Sequence, residues 1–192
     1  MRKIGQKGFT LVEVVIVIAL FAIMLTIAGY YMGGQGNKAR LKSAARDLVS
    51  NMTLARVSAI RDTRPWAILF EPGNDRYIVY NYCGEDPANP VHWNDGDEAV
   101  FRSITLPQNV SFASNKDGLD GNPVADPVSY DDYVDPDGNP LVDLVIFNPD
   151  GTSSEGGKIY LTIPSGETFA VSNLRATGRI KAQRDYGSGW SD

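Results

Sequence analysis

Cysteine and histidine are almost missing from this chain. One cysteine, Cys83, in 192 residues excludes an intramolecular disulfide and a multi-cysteine metal site. It reads as a small, partly buried residue. One histidine, His92, argues against a Ser-His-Asp triad or a histidine metal centre. It stands in a Pro/Asn/Asp-rich stretch and reads as an exposed loop residue. Basic residues are also in deficit: 18 Lys and Arg face 23 Asp and Glu, a formal net charge of −5. General affinity for nucleic acid is therefore not expected of the whole chain, and only a local basic patch could supply it. No nucleophile–base pair stands out, and no cofactor is expected. What is present is apolar: 43% hydrophobic residues, enough for the core of one globular domain plus an extra element.

The extra element is N-terminal. Residues 1–8, MRKIGQKG, carry Arg2, Lys3 and Lys7 and no acid. Residues 9–31 follow as an apolar run whose only charge is Glu13. About 20 helical residues cross a bilayer core, so the run is long enough to span. The basic flank predicts a cytoplasmic N-terminus and export of the chain beyond residue 31. A cleaved signal peptide would need a small-residue site after the run, and none is evident. A plain signal anchor explains the length but not Glu13, which costs about 2.5–3.5 kcal/mol at a bilayer centre.

Gly8-Phe9-Thr10-Leu11-Val12-Glu13 resembles the processing site of type IV prepilins and type II secretion pseudopilins. The resemblance implies cleavage after Gly8 by prepilin peptidase and N-methylation of Phe9. It also implies retention of the helix in a filament core, where Glu13 pairs with a neighbour's N-terminal amine. A buried carboxylate of this kind, met by an opposite charge, serves to select register. Loss of the leader lowers Lys and Arg from 18 to 15 against 23 acids, for a net charge of −8. The expected organisation is a leader over residues 1–8, a transmembrane and assembly helix over 9–34, and a periplasmic domain over 35–192. The protein would pass once through the bacterial inner membrane.

Beyond residue 34, Leu41, Ala44, Ala45, Leu48, Met52, Ala55 and Ala59 recur at three- and four-residue spacing. This is the apolar face of a helix that continues from the membrane run. Arg40, Lys42, Arg46, Asp47, Arg56 and Arg61 form its polar side. Gly29, Gly33, Gly34 and Gly36 predict a bend or local melting between the two parts. Pro65 should stop the helix, with a last turn near 61–63. Strands are predicted at 66–71, 76–82, 99–106, 110–113, 141–148, 158–163, 168–173 and 178–183, with turns at 72–75 and 164–167. The fold class is α+β, a long helix on an antiparallel sheet. Two long loops, 84–97 and 115–140, interrupt the strands; the second holds seven aspartates.

The helical stretches 44–48 and 54–61, the strand from Pro65 and the closing residues 177–181 resemble GspH/FimT-like minor pilins and pseudopilins. That resemblance implies the pilin fold and a structural subunit, not an enzyme, that primes or caps a type II secretion pseudopilus or a type IV pilus. Its partners would be other pilin or pseudopilin subunits, prepilin peptidase and the inner membrane. FimT-like pilins carry a C-terminal Gly-Arg-x-Arg motif linked to DNA binding; here Gly178-Arg179-Ile180-Lys181 stands in its place, with Arg175 and Arg184 nearby. The alternative function is thus DNA binding for uptake. Arg179 and Lys181 alternate along a strand and share a face, although protective charges on an edge strand are the plainer explanation of them. Calcium in the aspartate-rich loop is suggested by related major pseudopilins, but Asp135-Pro136-Asp137-Gly138-Asn139 does not fit the EF-hand pattern. It reads as an acidic surface loop, and no metal is expected.

Overall fold

The computed structural model describes residues 10–81, 99–131, 133–134, 138, 140–185 and 189–191, with backbone alone for 27–35, 133 and 141. Gly8, Phe9, Cys83, His92 and the whole of the 84–97 loop lie outside the described residues. The chain divides into two compact units, Met1–Gly36 and Asn37–Asp192.

One helix, α1 (Leu11–Asp62), crosses that division. The predicted break at the glycines is not there: the backbone stays helical through residues 29–36. A glycine costs about 1 kcal/mol against alanine, but propagation from long helical flanks needs no new nucleus. The stop falls where Pro65 requires it. Thr63 takes a left-handed φ of 53°, and the Arg64 N–H donates to Ala59 O at 3.2 Å.

Eleven strands follow among the described residues: β1 (Trp66–Glu71), β2 (Arg76–Tyr80), β3 (Val100–Thr105), β4 (Ser111–Phe112), β5 (Tyr133–Val134), β6 (Pro140–Leu141), β7 (Leu144–Phe147), β8 (Lys158–Thr162), β9 (Thr168–Leu174), β10 (Arg179–Asp185) and β11 (Trp190–Ser191). The expected single sheet is two. The first has order β3-β2-β1-β7 and the second β11-β10-β9-β8-β4, with β5-β6 as a separate ribbon. All pairings are antiparallel. The β1–β2 connection tightens into a 3-10 turn, Pro72–Asn74, and Asp75 closes it with a left-handed φ of 46°. The Asp75 carboxylate then accepts the Phe112 N–H at 3.0 Å, tying the first hairpin to β4 of the second sheet.

The apolar face of α1 read from the sequence is the centre of the core. Leu41, Ala44, Ala45, Leu48, Met52, Ala55 and Ala59 are all buried, packed with Ile68 and Phe70 of β1, Phe147 of β7, Ile159 and Leu161 of β8 and Val171 of β9. Alanine at four of these seven positions lets helix and sheets approach closely.

The 115–140 stretch is less of a loop than its composition suggests. Asp117 bridges Pro123, and Val128 bridges Ile159 of β8. Val128 and Tyr130 are fully buried, and the Tyr130 ring stacks on Phe70 at 5.6 Å and 7°. The close approach of that ring explains Gly157, where a Cβ would lie 2.4 Å from Tyr130 Cε1. The Tyr130 hydroxyl donates to Asn173 Oδ1 at 2.7 Å, and Asn173 Nδ2 donates to Ser153 Oγ and Glu155 O. Burial pushes the Tyr130 phenol well above its ordinary value.

Candidate functional site

Three places bear on the chemistry considered from the sequence. The first is the N-terminal part of α1. Thr10 caps the helix: its Oγ1 accepts the Glu13 N–H at 3.3 Å, and its carbonyl accepts the same N–H at 3.1 Å. Thr10-Leu11-Val12-Glu13 therefore has the spacing of a capping box, with Glu13 as the acid of the first turn. The spacing was legible in the sequence and gives Glu13 a local role beside any role in register. Beyond it the helix is apolar on every side. The large apolar side chains of residues 11–25 are between 45% (Val17) and 81% (Leu11) exposed. A helix of this kind belongs in a core or a membrane rather than in water. Among the described residues no helix is long and apolar enough to cross a membrane. The described side chains of the apolar run cover only residues 11–26, whereas the predicted run is 9–31.

The second place is β10. Arg179 and Lys181 are exposed and two residues apart, so they share a face, and Arg175 is exposed in the turn before them. Arg184 does not join them. It lies three residues from Lys181 and so falls on the opposite face, with Ile180 and Ala182, which pack against the core. There Arg184 Nη2 donates to Glu167 Oε2 at 2.8 Å, and its guanidinium lies 5.6 Å over the Phe169 ring. Glu167 also holds Lys38, at 2.5 Å. Burial alone would raise the Glu167 pKa, but the hydrogen bonds and charges of Lys38 and Arg184 hold it below the usual range. The odd separation of 181 and 184 signalled this in the sequence. Only β9 pairs with β10 along residues 179–183 among the described residues, so the charges of Arg179 and Lys181 also sit on a strand edge.

The glycine of this motif has a structural reason. Gly178 takes φ = 57°, and a Cβ there would lie 2.5 Å from Gly151 O and 2.7 Å from Arg56 Nε. Arg56 Nε in turn donates to Gly151 O at 3.0 Å. The end of α1, the turn at 149–152 and the β9–β10 turn thus meet at one point, a contact invisible to sequence spacing.

The third place gathers Asp126, Asp131 and Asp143, with carboxylate oxygens all within 4.8 Å of one another. Burial, then the charges of Asp126 and Asp131, raises the Asp143 pKa to about 6. An oxygen-only set suits a hard cation. Exposed carboxylates also gather without one; here Asp131 Oδ1 already accepts the Asp143 N–H, and Asp143 Oδ1 is buried without a hydrogen-bond partner.

A family model described as the prokaryotic N-terminal methylation motif matches residues 4–29. No curated protein matches the chain. Among solved structures, the chain is similar to the minor pseudopilin EpsH from the type 2 secretion system of Vibrio cholerae. The identity is 10%, covering 74% of this chain and 95% of that one, with a TM-score of 0.48. It is also similar to the type IV minor pilin FimU of Pseudomonas aeruginosa, at 14% identity over 81% of this chain and 95% of that one, with a TM-score of 0.49. The model of the type II transport protein GspH matches residues 44–178, from the buried face of α1 through the first sheet and strands β4, β8 and β9 of the second to Gly178. That match spans more than two thirds of the residues, and the chain belongs to the GspH family of pilin-like proteins.

Proposed function

We propose that this protein is an inner-membrane-anchored minor pilin or pseudopilin, a structural subunit that primes or caps a type II secretion pseudopilus or a type IV pilus. The observation that carries this reading is α1 itself. One continuous helix joins an apolar segment exposed on all sides, with Glu13 as its only charge, to a GspH-family domain. Prepilin peptidase cuts between Gly8 and Phe9, Phe9 is N-methylated, and residues 9–34 anchor the chain with its domain in the periplasm. The methylation-motif match over residues 4–29 supports the cut and the modification. In the filament the amine of Phe9 on one subunit meets Glu13 of another, replacing the water that a lone carboxylate would otherwise require.

Mass spectrometry of the N-terminal peptide from filaments tests the cut. A peptide beginning at methylated Phe9 is expected; intact residues 1–8 in filaments would overturn it. In Glu13→Leu, membrane insertion should persist while co-purification with filaments falls several-fold. Unchanged co-purification would remove Glu13 from the register.

A second reading, DNA binding during uptake, is favoured by one observation: Arg179 and Lys181 are exposed on one face of β10 with Arg175 beside them. Three cations on an acidic protein give weak, salt-sensitive and sequence-independent contact with phosphates. Labelled DNA titrated at two salt concentrations should bind wild type and not the Arg179→Ala/Lys181→Ala double variant. Equal binding by both would exclude the strip.

A further inference from the structure

We infer that the groove between α1 and β10 is a docking site for an acidic, aliphatic segment of a neighbouring pilin-family subunit. This rests on the assembly reading above and names a surface that serves it. The groove is an open cavity of about 370 Å³ between the helix and the second sheet. Its floor is apolar, formed by Val49 of α1, Phe169 of β9 and Ala182 of β10. Its rim is basic: Lys42 and Arg46 on one side and Arg184 on the other.

The charge pattern has a simple origin. Lys38, Lys42 and Arg46 recur every four residues and form one stripe along α1 beside its buried face. Lys38 and Arg184 share the single carboxylate of Glu167. Lys42 and Arg46 have no ion pair among the described residues. Among the described residues, the lining of the groove holds three cations, Lys42, Arg46 and Arg184, and no acid, on a chain whose net charge is −5.

The occupant follows from this complementarity. The volume accommodates two or three side chains and not a nucleic-acid duplex, whose phosphates would also leave the apolar floor uncovered. An apolar floor with a cationic rim fits a short segment that places a Leu, Ile or Val on Phe169 and Val49 and a carboxylate within reach of Lys42 and Arg46. The rim pairs contribute register and attraction at a distance, and the floor contributes the desolvated contact.

Two measurements test this. In the first, full-length protein in neutral detergent micelles is titrated with a labelled peptide alternating Leu with Asp and Glu, and with its Asn/Gln counterpart. The acidic peptide should bind at least about tenfold more tightly. The Lys42→Glu/Arg46→Glu variant should remove that preference, while Arg179→Ala/Lys181→Ala should keep it. Equal binding of both peptides, or competition by a short DNA strand as effective as the acidic peptide itself, would overturn the inference. In the second, a photo-crosslinking residue replaces Val49 in the full chain and filaments are isolated. A crosslink to an Asp- or Glu-bearing segment of another pilin-family subunit is expected, reduced about tenfold by the same charge reversal. If the protein is present in filaments but crosslinks only to lipid, to nothing or to a segment without acids, the inference fails while the assembly reading stands. If the protein is absent from filaments, the assembly reading fails, and the inference, which requires a filament neighbour, fails with it.

Discussion

Residues 11–26 and 41–59 of α1 share one backbone hydrogen-bond ladder and differ in how their apolar side chains are arranged. In the first stretch they point in every direction and none is buried. In the second they form a stripe, and Leu41, Leu48 and Met52 are completely covered while Lys42, Arg46 and Asp47 face outward. The first pattern needs an apolar surrounding supplied from outside the chain; the second supplies its own from the sheets. Helix is therefore the common answer to two different solvents, and the surrounding medium is read from the angular spread of the apolar residues, not from their number.

The largest effect that would break this contrast comes from truncation in each stretch. Leu48→Ala should lower stability by about 2–5 kcal/mol through lost transfer energy and a cavity among alanines and sheet residues that cannot collapse. For a domain of this size that is a fall of about 5–15 °C in melting temperature, read by circular dichroism of the full chain in detergent. Leu20→Ala should leave the same transition within about 1 °C, because no protein contact is lost. Equal falls would mean that both stretches are packed alike.

Gly178→Ala should come next, at about 1–3 kcal/mol. Its left-handed φ strains any L side chain, and the atom nearest the new Cβ is a backbone carbonyl that cannot swing away. A change below about 0.5 kcal/mol would show that the meeting point of Arg56, Gly151 and Gly178 yields freely.

The smallest effect sharpens the view of the aspartate-rich region. Asp143 has a folded pKa of about 6 against an ordinary 3.8. A carboxyl whose pKa is raised on folding favours the folded state fully below the unfolded value and loses that contribution as pH rises through the folded one. Wild type should therefore lose stability between about pH 4 and 6 from this group. Asp143→Asn, which also suits the left-handed φ of 57° at this position, should gain about 1 kcal/mol at pH 7 and flatten that slope. An unchanged slope would separate Asp143 from the two neighbouring acids.

The parts of this fold that were legible in the sequence obey a period. The stripe from Leu41 to Ala59, the stop before Pro65 and strand β1 at Trp66–Glu71 follow from spacing and from proline chemistry. The misjudged parts depend on what lies across from them. Val128 and Tyr130 sit in a run of Asp, Gly and Pro that reads as solvent-facing, yet β8 and Phe70 bury both. The glycines near residue 33 weaken a helix locally and are overruled by its length. Arg184 looked like a member of a basic cluster because it was counted by nearness in sequence, whereas strand parity sends it to Phe169 and Glu167. Of the assembly motif, Thr10 and Glu13 can be placed on the helix, and their capping relation adds a reason for the glutamate that the resemblance alone did not supply.

The bridge between Asp117 and Pro123 has a practical consequence for labelling. The segment is held at its base, where Leu119 N–H donates to the Tyr160 hydroxyl and Trp190 Nε1 donates to Asp117 O. At its tip, a Cβ on Gly121 would meet nothing within 4 Å. An inserted epitope would lengthen a loop whose ends are already clamped, and each doubling of such a loop costs only about 0.6 kcal/mol of closure entropy. Position 121 is thus a natural graft point, where a tag could report the protein's location without touching the helix, the groove or β10.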